Sequence, residues 1–137
     1  MGVAVRCPCG LPAVIATFPV ADGVPFPTLY WLTCQRAVRV IGRLESEGRM
    51  QELNERLRVE RPLADALDAA QRDYVDRRDA LHRLPDAGGI GGGPLDRVKC
   101  LHAHYAHHLV CGCNPIGEWI EEQAGTFLHP PPCIDAG

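Results

Sequence analysis

The stretch from Gln35 to Leu84 most constrains the fold, because it reads at helical period and is divided by Gly48 and Pro62. Val38, Ile41 and Leu44 give a first helix over Gln35–Glu47 its inner stripe, with Thr33 as the expected N-cap and Gly48 as its end. Met50, Leu53 and Leu57 support a shorter second helix. Pro62, expected at the first helical position, opens a long third helix carrying Leu63, Leu67, Ala70, Tyr74 and Leu81. Asp68–Arg72 and Asp73–Arg77 stand four residues apart on its solvent side, each pair worth about 0.3 kcal/mol. This middle third reads as a scaffold or interaction surface without convergent chemistry.

Before it, Ala13–Phe18 and Phe26–Leu32 are β-prone runs separated by the turn Ala21-Asp22-Gly23, which predicts a hairpin. After it comes the glycine-rich loop Gly88–Pro94. Asp96 is then placed to cap a fourth helix from Arg97 to about Val110. Asn114 followed by Pro115 opens a last helix through Gln123, and the proline-rich tail His129–Gly137 reads as irregular. The expected class is α+β, a short N-terminal β-hairpin packed on a mainly helical domain of about five helices. We expect one domain over 1–137, divided into a cysteine-containing loop and hairpin (1–34), a helical scaffold (35–84), a glycine-rich loop (85–96), a Cys/His helix with the C-terminal helix (97–124) and an irregular tail (125–137).

A chain of 137 residues with 46% hydrophobic residues has enough apolar side chain for one core without metal or disulfide staples. Its formal net charge of −3 gives no general attraction to nucleic acid or anionic lipid, so neither partner is expected. Pro12, Pro19, Pro25 and Pro27 break the one N-terminal apolar stretch, so neither a secretory signal nor a membrane span is expected and the address is cytoplasmic. There, seven cysteines with six histidines point to metal binding or thiol chemistry rather than a disulfide framework. Ser46 is the only serine, which removes a serine hydrolase from consideration. The glycine loop lacks the Gly-Lys-Ser/Thr of a phosphate cradle.

Cys34 and Cys100 both fall near predicted helix N-termini, where unpaired N–H groups and the helix dipole favour a thiolate. The segment Cys100-Leu101-His102-Ala103-His104-Tyr105-Ala106-His107-His108 is the densest in ligand types. Cys100 with His104, and His104 with His108, have the i,i+4 spacing that lets two helical side chains reach one ion. His107 continues that stripe toward Cys111, while Val98, Leu101, Tyr105 and Leu109 form the core-facing stripe, with His102 beside it. Cys7-Pro8-Cys9-Gly10 is like half a zinc knuckle, with one intervening residue where two are usual. Cys111, Cys113 and Cys133 are read either as a second metal site or as spare thiols.

The strings Arg6-Cys7-Pro8, Gly10–Val14, Pro25-Phe26-Pro27-Thr28-Leu29-Tyr30-Trp31-Leu32-Thr33-Cys34, Gly88–Gly92, Val98-Lys99-Cys100-Leu101-His102 and Asn114-Pro115-Ile116-Gly117 together resemble the DUF501 family, best represented in actinobacteria. The resemblance runs in order over nearly the whole chain. It implies a cytoplasmic protein of unassigned activity, with Cys7, Cys34, Cys100, His102 and His107 as its marked residues. It also implies a genomic neighbourhood with a septum-formation initiator and an exopolyphosphatase, hence a cell-division or phosphate-metabolism protein as partner. Cys9, Cys111 and Cys113 depart from the family pattern, as does Gln35.

The leading expectation is therefore one metal site formed by Cys7, Cys34, Cys100 and His104, with His102, His107 and Cys9 in reserve, and structural zinc as its occupant. The alternatives are an iron–sulfur cluster with redox or sulfur chemistry, a thiol enzyme using Cys34 or Cys100 with a histidine base, and a helical interaction module linked to cell division.

Overall fold

The computed structural model describes residues 2–125. The tail expected over His129–Gly137, and Cys133 with it, lies outside them. Five strands come first: β1 (Gly2–Arg6), β2 (Pro12–Ala16), β3 (Val20–Ala21), β4 (Val24–Pro25) and β5 (Tyr30–Leu32). Five α-helices follow: α1 (Gln35–Ser46), α2 (Arg49–Val59), α3 (Arg61–Leu81), α4 (Leu101–Cys111) and α5 (Pro115–Ala124), with a 3-10 turn at Ile90–Gly92. The class is α+β, as expected.

The predicted hairpin is the antiparallel pair β2–β5, in which Val14 faces Leu32 and Ala16 faces Tyr30. Its tip carries the small β3–β4 ribbon, turned by Asp22 and Gly23, both at positive φ. The sequence reading missed β1, which adds to the free edge of β2 to give the order β1-β2-β5. Its pairing with β2 shifts register between Val3 and Val5 and again before Arg6. Such irregularity blurs the period-two signal by which a strand is read.

Helix starts differ from expectation in two places, and both differences shape the chemistry. Thr33 does not cap α1; its hydroxyl donates to the Pro12 carbonyl at 2.9 Å, and Cys34 takes the N-cap position. The inner face of α1 carries Ala37, Ile41 and Leu44, with Val38 left 38% exposed beside a cavity. The fourth helix begins at Leu101 rather than Arg97. Asn54 on α2 binds both backbone groups of Val98, accepting from its N–H at 2.8 Å and donating to its carbonyl at 3.0 Å. That ties down the segment as non-helical chain, and Cys100 at φ −147° and ψ 114° becomes the N-cap of α4.

The core forms from α1, α2, α4 and α5 around Ile41, Leu53, Leu101, Tyr105, Ile116 and Ile120. A second cluster joins the sheet to α3 and α4 through Val14, Leu29, Tyr30, Tyr74, Ile90 and Ala106. Leu53 and Leu57 are buried and Met50 packs on the core, so the apolar stripe that would make α2 a docking face is turned inward. Tyr74 fixes α3 to the approach of β5: its hydroxyl accepts from the Leu29 N–H at 2.7 Å and donates to the Pro27 carbonyl at 2.8 Å. The glycine loop is held in the same way. Gln71 accepts from the Ile90 N–H at 2.8 Å, and buried Arg78 donates to the Gly88 carbonyl at 3.0 Å. Helix α4 touches α1, α5, β1, β2, β5 and the 3-10 turn, so both the sheet and the helical layer frame it.

Candidate functional site

The expected ligands are distributed among several places. Cys7 and Cys34 are buried and line one cavity with Leu11, Pro12, Ile15, Thr33 and Gln35. Cys9 is exposed in the turn after β1. Among the described residues, two groups of three or more metal-capable side chains have ligand atoms within 4.8 Å of one another: Glu45, Cys100 and His102, and Asp73, His107, Cys111 and Cys113. Of the four leading residues only Cys100 belongs to either. The i,i+4 argument that joined Cys100 to His104 assumed both lay in the helix. With Cys100 extended at the N-cap, its neighbour is His102, and His104 turns toward α5.

At the start of α4, Glu45 reaches across from α1. Its Oε2 accepts from the Leu101 N–H at 2.9 Å, capping the start of the helix. Its Oε1 lies 3.2 Å from His102 Nδ1, and His102 Nε2 lies 3.1 Å from the Val38 carbonyl. A carbonyl oxygen only accepts, so Nε2 carries a proton; a carboxylate facing Nδ1 favours a second one. The hydrogen bond with Cys100 is the largest factor raising the His102 pKa, with the Val38 carbonyl and Glu45 acting in the same direction against burial. Burial alone would raise the Cys100 thiol, but hydrogen bonds to His102 and to the Ala103 N–H outweigh it and hold its pKa below the usual value. Cys100 and His102 open on a cavity of about 300 Å³ whose walls include Tyr30, Trp31, Leu32, Val38 and Gly91. Gly91 is at positive φ, and a Cβ there would lie 3.3 Å from Cys100 Cβ, so glycine lets the loop close over the thiol.

At the other end of α4, three histidines surround Asn114. The Asn114 side-chain amide lies 3.1 Å from both His104 Nδ1 and His107 Nδ1, and the Asn114 backbone N–H donates to His108 Nδ1 at 3.2 Å. Its Oδ1 accepts from the Ile116 N–H at 2.9 Å, which makes it the predicted N-cap of α5. One asparagine thus sets all three rings with Nδ1 as acceptor and Nε2 protonated. His107 donates from Nε2 to Asp73 at 2.8 Å and His108 to Glu121 at 3.2 Å, while His104 Nε2 is buried with no hydrogen-bond partner. Burial pushes the His104 pKa down to about 3, with His107 adding to the effect. Burial also lowers His107, against the pull of Asp73. For Asp73 itself burial raises the pKa, but hydrogen bonds from His107 and Arg77 outweigh it. Cys111 Sγ lies 3.8 Å from His107 Nδ1 and is disulfide-bonded to Cys113.

Sequence reasoning missed Glu45 and Asp73, both assigned to a scaffold with no chemistry. Glu45 is adjacent to Leu44 of the inner stripe, so its half-buried place was legible; its partners were not. Asp73 was read only as the ion-pair partner of Arg77. That pair exists at 2.7 Å, and the same oxygen also receives His107.

No curated protein and no solved structure matches the chain. The family model described as "Protein of unknown function (DUF501)" matches residues 3–122. This chain, with a cysteine–histidine–acid group at each end of its fourth helix, belongs to the DUF501 family.

Proposed function

We propose that Glu45, Cys100 and His102 bind a divalent transition metal, zinc by the nature of the ligands, at the wall of the cavity beside Trp31. The observation that carries this reading is that the three ligand atoms lie within 4.8 Å of one another and each side chain is independently oriented. His102 holds its second nitrogen on the Val38 carbonyl, Glu45 its second oxygen on the Leu101 N–H, and Cys100 accepts from the Ala103 N–H. Outer hydrogen bonds of this kind fix ring and carboxylate orientation in metal sites. One thiolate, one imidazole and one carboxylate leave a fourth position toward the cavity, the pattern of a zinc that activates water or polarises a bound group rather than one that only staples the fold. An iron–sulfur cluster draws on several thiolates, and this group supplies Cys100 alone.

A second reading uses the same atoms without metal. His102 faces oxygen acceptors at both ring nitrogens, which supports an imidazolium beside a Cys100 thiolate, the resting pair of a thiol nucleophile. Elemental analysis of the purified protein separates the two. The metal reading expects stoichiometric zinc that is lost in C100S and H102A, with Cys100 protected from iodoacetamide until zinc is removed. Zinc content unchanged in C100S would end it. Protein without metal that is alkylated rapidly at Cys100, and is not protected by added zinc, would establish the second.

A further inference from the structure

The Cys111-Gly112-Cys113 disulfide lies outside the proposed metal site, at the C-terminal end of α4. The two cysteines have Cα atoms 5.2 Å apart, and Gly112 between them is at φ 68°, the left-handed turn that ends the helix. Their surroundings differ. Cys113 is exposed, whereas Cys111 is half-buried and faces His107 Nδ1 at 3.8 Å and the Cys113 N–H at 3.0 Å. His107 is fully buried and held through Nε2 by Asp73, with its ring against Tyr30 and Tyr74. The Cys113 N–H aimed at the half-buried Cys111 sulfur and the exposure of the Cys113 sulfur, two positions on, make the two ends of this disulfide unequal.

We infer that Cys111 and Cys113 form an exchangeable disulfide that accepts electrons from thiols, with Cys113 the sulfur attacked and Cys111 the leaving group. The co-reactant is a low-molecular-weight thiol or the dithiol of another protein. Its thiolate attacks Cys113 Sγ, a new S–S bond forms there, and the Cys111–Cys113 bond breaks with its electron pair moving to Cys111 Sγ. The Cys113 N–H donates to that leaving thiolate. A proton from solvent then converts it to a thiol, which hydrogen-bonds His107 Nδ1. A second thiolate attacks the outer sulfur of the mixed disulfide, releasing the oxidised product and the reduced Cys113. Two thiols are thereby oxidised to one disulfide and the protein disulfide is reduced to two thiols. In reverse, His107 Nδ1 gives up its hydrogen bond from the Asn114 amide and takes the proton of Cys111 as its sulfur attacks. Such a base is needed here, since the C-terminal end of a helix disfavours negative charge on the adjacent sulfur.

The intact protein is treated with glutathione, quenched in acid, alkylated and mapped by mass spectrometry. The expected result is reduction of this disulfide while the protein stays folded, with the transient glutathione adduct on Cys113. An adduct on Cys111, or a disulfide that resists reduction until the protein unfolds, overturns the proposal. H107Q is expected to slow the exchange several-fold at neutral pH, and an unchanged rate removes His107 from the mechanism. If H107Q does not fold, adduct mapping on the unaltered chain still decides.

Discussion

The two ends of α4 carry the same residue types and set them to opposite electrostatic states. At the N-terminal end Cys100 accepts from a backbone N–H, His102 is raised in pKa, and Glu45 bridges the ring and the helix start. At the C-terminal end burial lowers the pKa of His104 and His107, and Cys111 faces a ring nitrogen that accepts rather than donates. A helix presents unpaired donors at one terminus and unpaired acceptors at the other. One terminus therefore favours a thiolate beside an imidazolium, and the other a thiol or disulfide beside a neutral base. A Cys–His pair is not a chemistry in itself; its position along the helix assigns one.

The largest break in this contrast is expected from N114A. It removes the side-chain hydrogen bonds that orient His104 and His107 together with the α5 cap, all in a fully buried place, while the backbone N–H that reaches His108 remains. A loss of about 3–5 kcal/mol is expected from denaturant unfolding, since buried acceptors are left unpaired. Cys100 alkylation in the folded fraction should not change. If it does, the two ends are not independent.

Acidification should act on the C-terminal end next. His104 titrates near 3 when folded, against about 6.5 for an unfolded chain. Below pH 6.5 the unfolded chain gains a proton that the folded protein refuses, so stability falls from there toward pH 3. The loss amounts to roughly 4 kcal/mol. His102 has the opposite sign. Its raised pKa stabilises the fold fully below the unfolded value, and that contribution is lost as pH rises through the folded pKa. The slope of unfolding midpoint against pH should flatten on the acid side in H104Q. A slope unchanged in that variant would discount the buried ring.

E45A sharpens the other end. It removes the acceptor on the Leu101 N–H and the anion beside His102, for an expected cost of about 1–2 kcal/mol. Zinc content should fall with it. A melting shift without loss of bound metal would leave Glu45 a helix cap alone. The smallest effect is kinetic. In metal-free protein the depressed pKa of Cys100 should keep it reactive toward iodoacetamide below pH 8, where ordinary thiols are mostly protonated, and buried Cys34 should lag behind it. Equal rates at the two sulfurs would erase the electrostatic distinction.

Local pattern carried much of the fold. The helical spacing placed the bounds of α1 and α5 and the start of α3 within a residue, and Asn114-Pro115 marked the start of α5 because both residues act on their own first turn. It failed at β1 and at the start of α4, where the deciding partners are distant. Asp96 was a plausible cap, but Asn54, more than forty positions away, ties Val98 into non-helical chain. That shift of a few residues moved Cys100 out of the helix and changed its neighbour from His104 to His102.

The sequence by itself determined the class of the fold, the helical frame and the concentration of sulfur and imidazole on one segment, since each depends on side-chain spacing along a few turns. Only the tertiary structure decided which of those groups meet and in what charge state. Glu45 and Asp73 come from other helices, Asn114 from the next turn, and burial sets the proton on each ring. Periodicity carries no record of which surfaces fold against one another, and the pKa of a buried group is a property of those surfaces.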